Sequence, residues 1–204
     1  FWDQKHLQEY KKTRNGLVGA DYSSKFSAWL SQGCISPVSI YHQIKKFERE
    51  VKKNSSTYWL YFELMWRDFF RFTALKRGEQ FFKMPENHAP RYSKKHFEKW
   101  RLGETGQDFV DANMREILHT GFMSNRGRQN VASYLVKDLG QHWYTGAAWF
   151  ESQLIDYDVC SNYGNWTYVA GVGNDPRENR WFNVEKQAER YDEDGSFRKL
   201  WLME

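Results

Sequence analysis

Four short stretches of this 204-residue chain hold side chains that could do chemistry together. The first is Ser23-Ser24-Lys25-Phe26-Ser27, just before an apolar run. Hydroxyls and free backbone N–H groups at a helix start suit a phosphate. The first turn has donors without intrahelical partners, and the helix dipole favours an anion. Tyr10 and Arg14, four residues apart, could join from upstream, and Arg offers phosphate a planar fork. An ordinary serine N-cap would leave the same local pattern. The second stretch is FELMWRDFFRF, where Glu63, Trp66, Arg67 and Phe70 share one face of a helix. A carboxylate, an indole and a guanidinium side by side can stack on a planar heterocycle and read its polar edge. An ion pair beside a core tryptophan is the plainer reading. The third is Asp156-Tyr157-Asp158, with Asn162 four residues on. Both carboxylates can reach a pocket at a helix end and accept from a ring N–H or sugar hydroxyls, with Arg128 a candidate counter-ion. Glycosidic or metal chemistry would need partners that are not in view. A cluster of caps and ion pairs is the alternative. The fourth is SNRGRQNVASYLVKDL, in which Asn125, Arg126 and Arg128 precede a helix. There Arg can reach a phosphate and Asn a base edge.

Other chemistries find little support. The six His form no HxxxH or HExxH pattern and the two Cys, Cys34 and Cys160, form no CxxC, so no metal site is expected. The two thiols read as buried structural residues in a reducing compartment. No apolar run reaches the ~18 residues of a membrane helix. The opening FWDQKHLQEYKKTRNG has no apolar signal core, and a chain beginning at Phe1 reads as a piece of a longer protein or a processed one. Charge is split: residues 1–102 carry 20 Lys and Arg against 10 Asp and Glu, while residues 103–204 carry 10 against 16. Lys45, Lys46, Arg49, Lys52 and Lys53 would share one side of a helix. Such a basic face suits nucleic acid or phosphate, or is simply solvated.

The elements that must position these groups read as a succession of helices. Ser36-Pro37 is an N-cap with Pro at the first helical position, and the helix runs toward Asn54. Residues 55–76 carry rings on nearly every side, which predicts a helix buried all round, with Phe62, Phe69 and Phe72 as core and Gly78 at its end. Residues 79–99 read as an irregular connection. DFVDANMREILHT is amphipathic and stops at Gly121. RQNVASYLVKDL ends near Gly140, and Thr145 can cap a helix through Asp158. Beyond Asn162, NYGNWTYVAGVGNDP is rich in Gly and Asn and reads as loop. Asn183 can cap a last helix, VEKQAERY. Nothing alternates with period 2, so the expected fold is all-α, a single domain over residues 1–204. Ten Trp, 12 Tyr and 15 Phe provide an ample core.

Taken together, four segments resemble the flavin-binding domain of the photolyase/cryptochrome family, in its DASH branch. They are YKKTRNGLVGADYSSKFSAWLSQGCIS, STYWLYFELMWRDFFRF, DANMREILHTGFMSNRGRQNVASYLVKDLG and WFESQLIDYDVCSNYGNWTYVAGVGNDPRENRWFN. The resemblance implies FAD, folded back on itself in a helical domain. Tyr10, Ser23, Ser24, Phe26 (through its backbone) and Ser27 would hold the diphosphate. Glu63 and Arg67 would line the mouth between flavin and substrate. Asp156 and Asp158 would contact the ribityl and flavin edges, with Arg128 pairing to a carboxylate. Asn162 would sit beside flavin N5, where a neutral side chain tolerates added negative charge.

The resemblance further implies blue-light-driven repair of cyclobutane pyrimidine dimers by electron transfer from reduced flavin, preferably in single-stranded DNA. The alternative is a blue-light photoreceptor that binds nucleic acid without repair. Glu63, Arg14, Trp66, Arg67, Asn125, Arg126, Tyr168 and Gln187 would face the lesion or the DNA. Tyr168 stands where double-strand photolyases usually have Trp. Trp166 and Trp143 match the first two members of an electron-transfer chain; the third would fall near Pro90, with Tyr92 or Trp100 as substitutes. Family members carry an α/β antenna domain before this region. Without it, no proper antenna-chromophore site is expected, and the face it would cover could support self-association. The expected location is intracellular, in the cytoplasm or an organelle.

Overall fold

In the computed structural model, residues 1–83, 92–173 and 181–203 are described, and among them there are helices and turns but no strand. Two short turns of helix open the chain, a 3₁₀ turn at His6–Glu9 and α1 (Tyr10–Thr13), followed after a loop by α2 (Ser27–Ser31). α3 spans Pro37–Glu50, with the Ser36 hydroxyl accepting from the Ser39 N–H at 3.0 Å. It buries Ile40, Ile44 and Phe47, spaced at one helical face. It stops short of Asn54, because Asn54 caps the next helix. α4 (Ser55–Arg77) begins with a reciprocal cap: Asn54 accepts from the Ser56 and Thr57 amides, and Thr57 Oγ1 accepts from the Asn54 N–H. Gly78 closes it at φ 55°.

The second half packs α5 (Lys94–Leu102), α6 (Asp108–Thr120), α7 (Asn125–Ser133), α8 (Trp143–Gln153), α9 (Val159–Ala170), α10 (Val184–Tyr191) and α11 (Ser196–Leu202). A single π-type turn at Tyr134–Asp138 continues α7. α6 and α10 fall where the sequence puts them. Two apolar cores result. The larger is built on α6 to α9 around Trp100, Trp143 and Trp166. The smaller joins Leu7, Tyr10, Ile40, Ile44 and Phe47 to Leu60 and Leu64 of α4. α4 therefore runs along both cores, with Ala74 in the larger one.

Several expectations are corrected. Residues 162–170, expected as loop, belong to α9. Asp158 caps α9 by accepting from the Ser161 N–H at 2.8 Å, and Gly171 ends it at φ 79°. The glycine inside α9 is there for close packing: a Cβ on Gly164 would lie 2.3 Å from Phe70 Cδ1. There is no single helix from Thr145 to Asp158. α8 starts at Trp143 behind His142, and Thr145 Oγ1 bonds back to the His142 carbonyl within the first turn. Leu154 is extended and ends it. Part of the 79–99 connection is helical, as Ser93 caps α5, which buries Trp100 completely. α4 is not buried all round: Phe69 and Phe72 are 41% and 65% exposed. A further helix, α11, follows VEKQAERY. Cys34 is exposed rather than core. No described helix is long and apolar enough to cross a membrane.

Candidate functional site

Three contiguous chambers lie between α1, α2, α4, α7 and α9. The first is walled by Tyr10, Arg14 and the 23–27 loop, by Glu63 and Arg67 of α4, and by Asn125, Arg128 and Asp156. Its donor set is three serine hydroxyls with Arg14, Lys25 and Arg128, a composition suited to a diphosphate. Tyr10 is buried, its hydroxyl hydrogen-bonds with Ser23, and burial raises its pKa to about 12. It is therefore a neutral donor at any physiological pH. Ser27 is the first residue of α2 rather than its cap; Phe26 holds the cap position through its backbone alone.

The second chamber is an apolar slot with a polar rim. Phe150, Leu154, Trp166 and Val169 form its walls, and Arg128, Asp156, Asp158 and Asn162 reach it from α7, the loop before α9, and α9. Asp156 is held by Arg128, whose Nη2 lies 2.9 and 2.8 Å from the two carboxylate oxygens. Arg128 Nε also donates to the Met123 carbonyl at 2.8 Å, which fixes its orientation. Asn162 is buried and donates through Nδ2 to the Ala147 carbonyl at 3.0 Å. Such a slot fits a flat heterocycle with a few convergent polar groups at its edge.

The third chamber opens outward between Trp66, Phe70, Phe62 and Tyr168, with Glu63 and Arg67 in its floor. Trp66 meets Tyr168 edge to face at 6.0 Å. Arg14 Nη1 bonds Glu63 Oε1 at 2.5 Å and its guanidinium lies 5.0 Å from the Trp59 ring. Burial nevertheless raises the Glu63 pKa, and Arg14 only offsets it. Arg67 Nη2 stands 3.8 Å from Asp158 Oδ2, tying α4 to the start of α9. Asn125 lines all three chambers. Gln129, Ser161 and Asn165 line both the second and the third, so slot and mouth share polar side chains.

Most candidate residues therefore converge, and three do not line the chambers. Arg126 is drawn away to Gln129 and Asn15, at 3.0 and 3.1 Å, and lies over the Tyr191 ring. Gln187 sits one turn before Tyr191 on α10, with Oε1 buried and unpartnered. Trp143 lies behind the slot, against Tyr163. Trp166 reaches the slot and touches Trp100 at 6.2 Å and Phe150 at 5.1 Å between ring centroids. Pro90 lies outside the described residues. Sequence reasoning passed over Gln129 and Asn165. Each is three or four residues from a chosen neighbour, Asn125 or Asn162, and so on the same helix face. Among the described residues, no three His, Cys, Asp or Glu side chains are placed to hold a metal.

The family model described as the FAD binding domain of DNA photolyase matches residues 59–204. This chain belongs to that family. Over its full length it is 57% identical to Cryptochrome DASH of Synechocystis sp. and 58% identical to Cryptochrome DASH of Danio rerio. It spans only 42% and 40% of those relatives. The solved Synechocystis cryptochrome superposes with a TM-score of 0.96 over the whole chain and 43% of its own. A bacterial class III photolyase from Agrobacterium tumefaciens is 32% identical, with a TM-score of 0.89 over 98% of this chain and 42% of its own. These photolyase/cryptochrome relatives share one helical arrangement with this chain.

Proposed function

We propose that this chain binds FAD across the first two chambers and a flipped pyrimidine dimer in the third, and repairs the dimer under blue light, preferably in single-stranded DNA. The observation that carries this reading is the junction at Asn125. An anion-suited chamber, a flat apolar slot and an aromatic-walled mouth meet there, and slot and mouth share Gln129, Ser161 and Asn165. A donor in the slot would thus lie next to an acceptor in the mouth.

When bound, reduced FAD excited by light supplies the electron that opens the cyclobutane ring and then takes it back. The chain supplies position and environment. Ser23, Ser24, Ser27, Tyr10 and Arg14 bind the diphosphate, assisted by the Phe26 backbone. The Arg128–Asp156 pair presents a fixed carboxylate at the rim, and Asp158 a second. Phe150, Leu154, Trp166 and Val169 exclude water from the slot. Asn162 brings a neutral amide to the position where negative charge would accumulate, and a carboxylate there would repel it. Trp66 and Tyr168 wall the lesion, while Glu63 and Arg67 meet its polar edge. A dimer flips more cheaply from a single strand, where no complementary pairing is lost. Asn125 lines the mouth and would meet the DNA there, and Trp166 and Trp143 would begin the route by which oxidised flavin is recharged.

The test is repair of a dimer-containing oligonucleotide by the chain loaded with reduced FAD. Light-dependent restoration of the thymines is expected. Tight binding of the oligonucleotide without turnover would instead support a photoreceptor that binds nucleic acid. Failure of purified chain to take up a yellow chromophore would remove both readings.

A further inference from the structure

The indole of Trp143 is buried, and its N–H has no hydrogen-bond partner among the described residues. Trp166, whose ring lines the slot, lies against α8 about one turn further on: a Cβ on Gly146 would fall 2.2 Å from Trp166 Cη2. An electron drawn out through Trp166 and Trp143 leaves positive charge on an indole that water cannot solvate and that has no acceptor for its proton. Such a charge must move on or recombine.

Trp143 leads to a pair of tyrosines. Its ring meets Tyr163 of α9 edge to face at 6.2 Å, and Tyr163 meets Tyr144 of α8 at 5.8 Å. Tyr163 is buried, whereas Tyr144 is 43% exposed. The Tyr163 hydroxyl donates to Glu151 Oε2 at 3.1 Å, and Glu151 stands in solvent. Burial, with hydrogen bonds to Tyr144 and Glu151, holds the Tyr163 pKa above its ordinary value, so the resting group is a neutral phenol. A phenol loses an electron readily only if its proton leaves with it, and Glu151 is a base within transfer distance.

The residues that the sequence offers in place of a third tryptophan are less well equipped. Trp166 also touches Trp100 at 6.2 Å, but the Trp100 N–H is bonded to the Val131 carbonyl at 3.0 Å, which is no base. From Trp100 the way to exposed Tyr92 runs through Phe97, at 5.9 and 6.1 Å, and a phenyl ring is hard to oxidise.

We propose that the electron route leaves the core at Tyr163, with Glu151 as its proton acceptor, and reaches the surface at Tyr144. The proposal rests on the FAD reading above. Trp166 passes one electron to photoexcited oxidised flavin in the slot and is refilled by Trp143. Trp143 takes one electron from Tyr163, whose proton passes to Glu151. The products are a neutral indole, a neutral Tyr163 phenoxyl and a protonated Glu151, which returns its proton to water. Tyr144 then gives a hydrogen atom to Tyr163 across the bond between them. A soluble thiol restores Tyr144 by supplying one electron and one proton.

The experiment is laser-flash spectroscopy of the FAD-loaded chain, with the radicals identified by absorption and electron paramagnetic resonance. In wild type the tryptophan radical should decay as a tyrosyl radical rises, more slowly in D2O. Tyr163→Phe should abolish the tyrosyl signal and leave the tryptophan radical to recombine. Glu151→Gln keeps a hydrogen-bond acceptor but not the base, and should slow tyrosyl formation about a hundredfold. Tyr144→Phe should form the radical but slow its reduction by added thiol, and Tyr92→Phe should match wild type. Melting curves and flavin spectra of the variants exclude a loss of fold, and the exposed Glu151 site keeps the test open if Tyr163→Phe misfolds. A wild type without tyrosyl radical, an equal tyrosyl signal in Tyr163→Phe, an unchanged rate in Glu151→Gln, or loss of the signal in Tyr92→Phe overturns the proposal and leaves the FAD reading intact. A chain that takes up no flavin overturns both.

Discussion

Arg128 on α7 holds Asp156 on the loop between α8 and α9 through one nitrogen placed 2.9 and 2.8 Å from both carboxylate oxygens. The Asp156 side chain is 1% exposed and that of Arg128 26%, so the pair is a half-buried clasp between two segments 28 residues apart. Both residues line the first and second chambers. Breaking such a clasp from one side leaves a charge without its partner.

Asp156→Ala should therefore destabilise the apoprotein by about 2–4 kcal/mol. Asp156→Asn, which can still accept from Arg128, should do less harm. Urea unfolding followed by circular dichroism measures both. Equal stability of Asp156→Ala and wild type would show that the clasp contributes nothing net.

Gly164→Ala should destabilise by about 1–3 kcal/mol, because the added methyl meets the Phe70 ring. Gly146→Ala should act alike, since its Cβ would fall 2.2 Å from Trp166 Cη2. Phe70→Leu should recover part of the loss in Gly164→Ala but none in Gly146→Ala. Thermal melts of the two double variants check this.

Glu116 makes the apoprotein's stability pH-dependent. Its pKa is raised from 4.5 to about 7 in the fold, so the folded state holds the proton more tightly. The stability this confers is full below the unfolded value and is lost as pH rises through the folded one. Relative to Glu116→Gln, wild type should lose about 2–3 kcal/mol between these limits. A constant difference between the two proteins across that range would refute the assignment.

Asn162→Asp should lower the midpoint potential of bound flavin and slow its photoreduction, through repulsion between the new carboxylate and added negative charge. The variant also loses the amide donor to the Ala147 carbonyl. Asn162→Ser, neutral but equally unable to make that bond, separates the two effects. Spectroelectrochemistry of the loaded proteins should place only the Asp variant low.

Trp66→Ala should weaken binding of a dimer-containing oligonucleotide by roughly tenfold or more, the value of one base stacked on an aromatic ring. Tyr168→Ala, whose ring meets Trp66 edge to face, should be of similar size but not additive with it. Fluorescence anisotropy at fixed salt gives both, and strict additivity would mean the rings act on separate groups.

Much of the chain was legible without coordinates. The cap at Ser36-Pro37, the stop at Gly121 and the N-cap at Asn183 are local events, set by residues within three or four positions. The motif order was enough to name the family. Gly164 and Gly146 were illegible for the opposite reason. Their sequence signal is that of a turn, whereas their role is to admit a ring from another helix, which only the partner's position reveals.

Local pattern thus determined the helical class, the starts of α3, α4, α6 and α10, and the chemical types available to the site. Tertiary packing decided which of those groups meet. It turned Arg126 away to Asn15 and Tyr191, placed Trp166 in the slot with Trp143 behind it, and buried Glu116, which raises its pKa. It also left Phe69 and Phe72 in the open. Hydrogen bonds at helix ends span a few residues and can be read from spacing. Burial, ring contacts and pKa shifts depend on residues far apart in the chain, and distance along the sequence carries no trace of them.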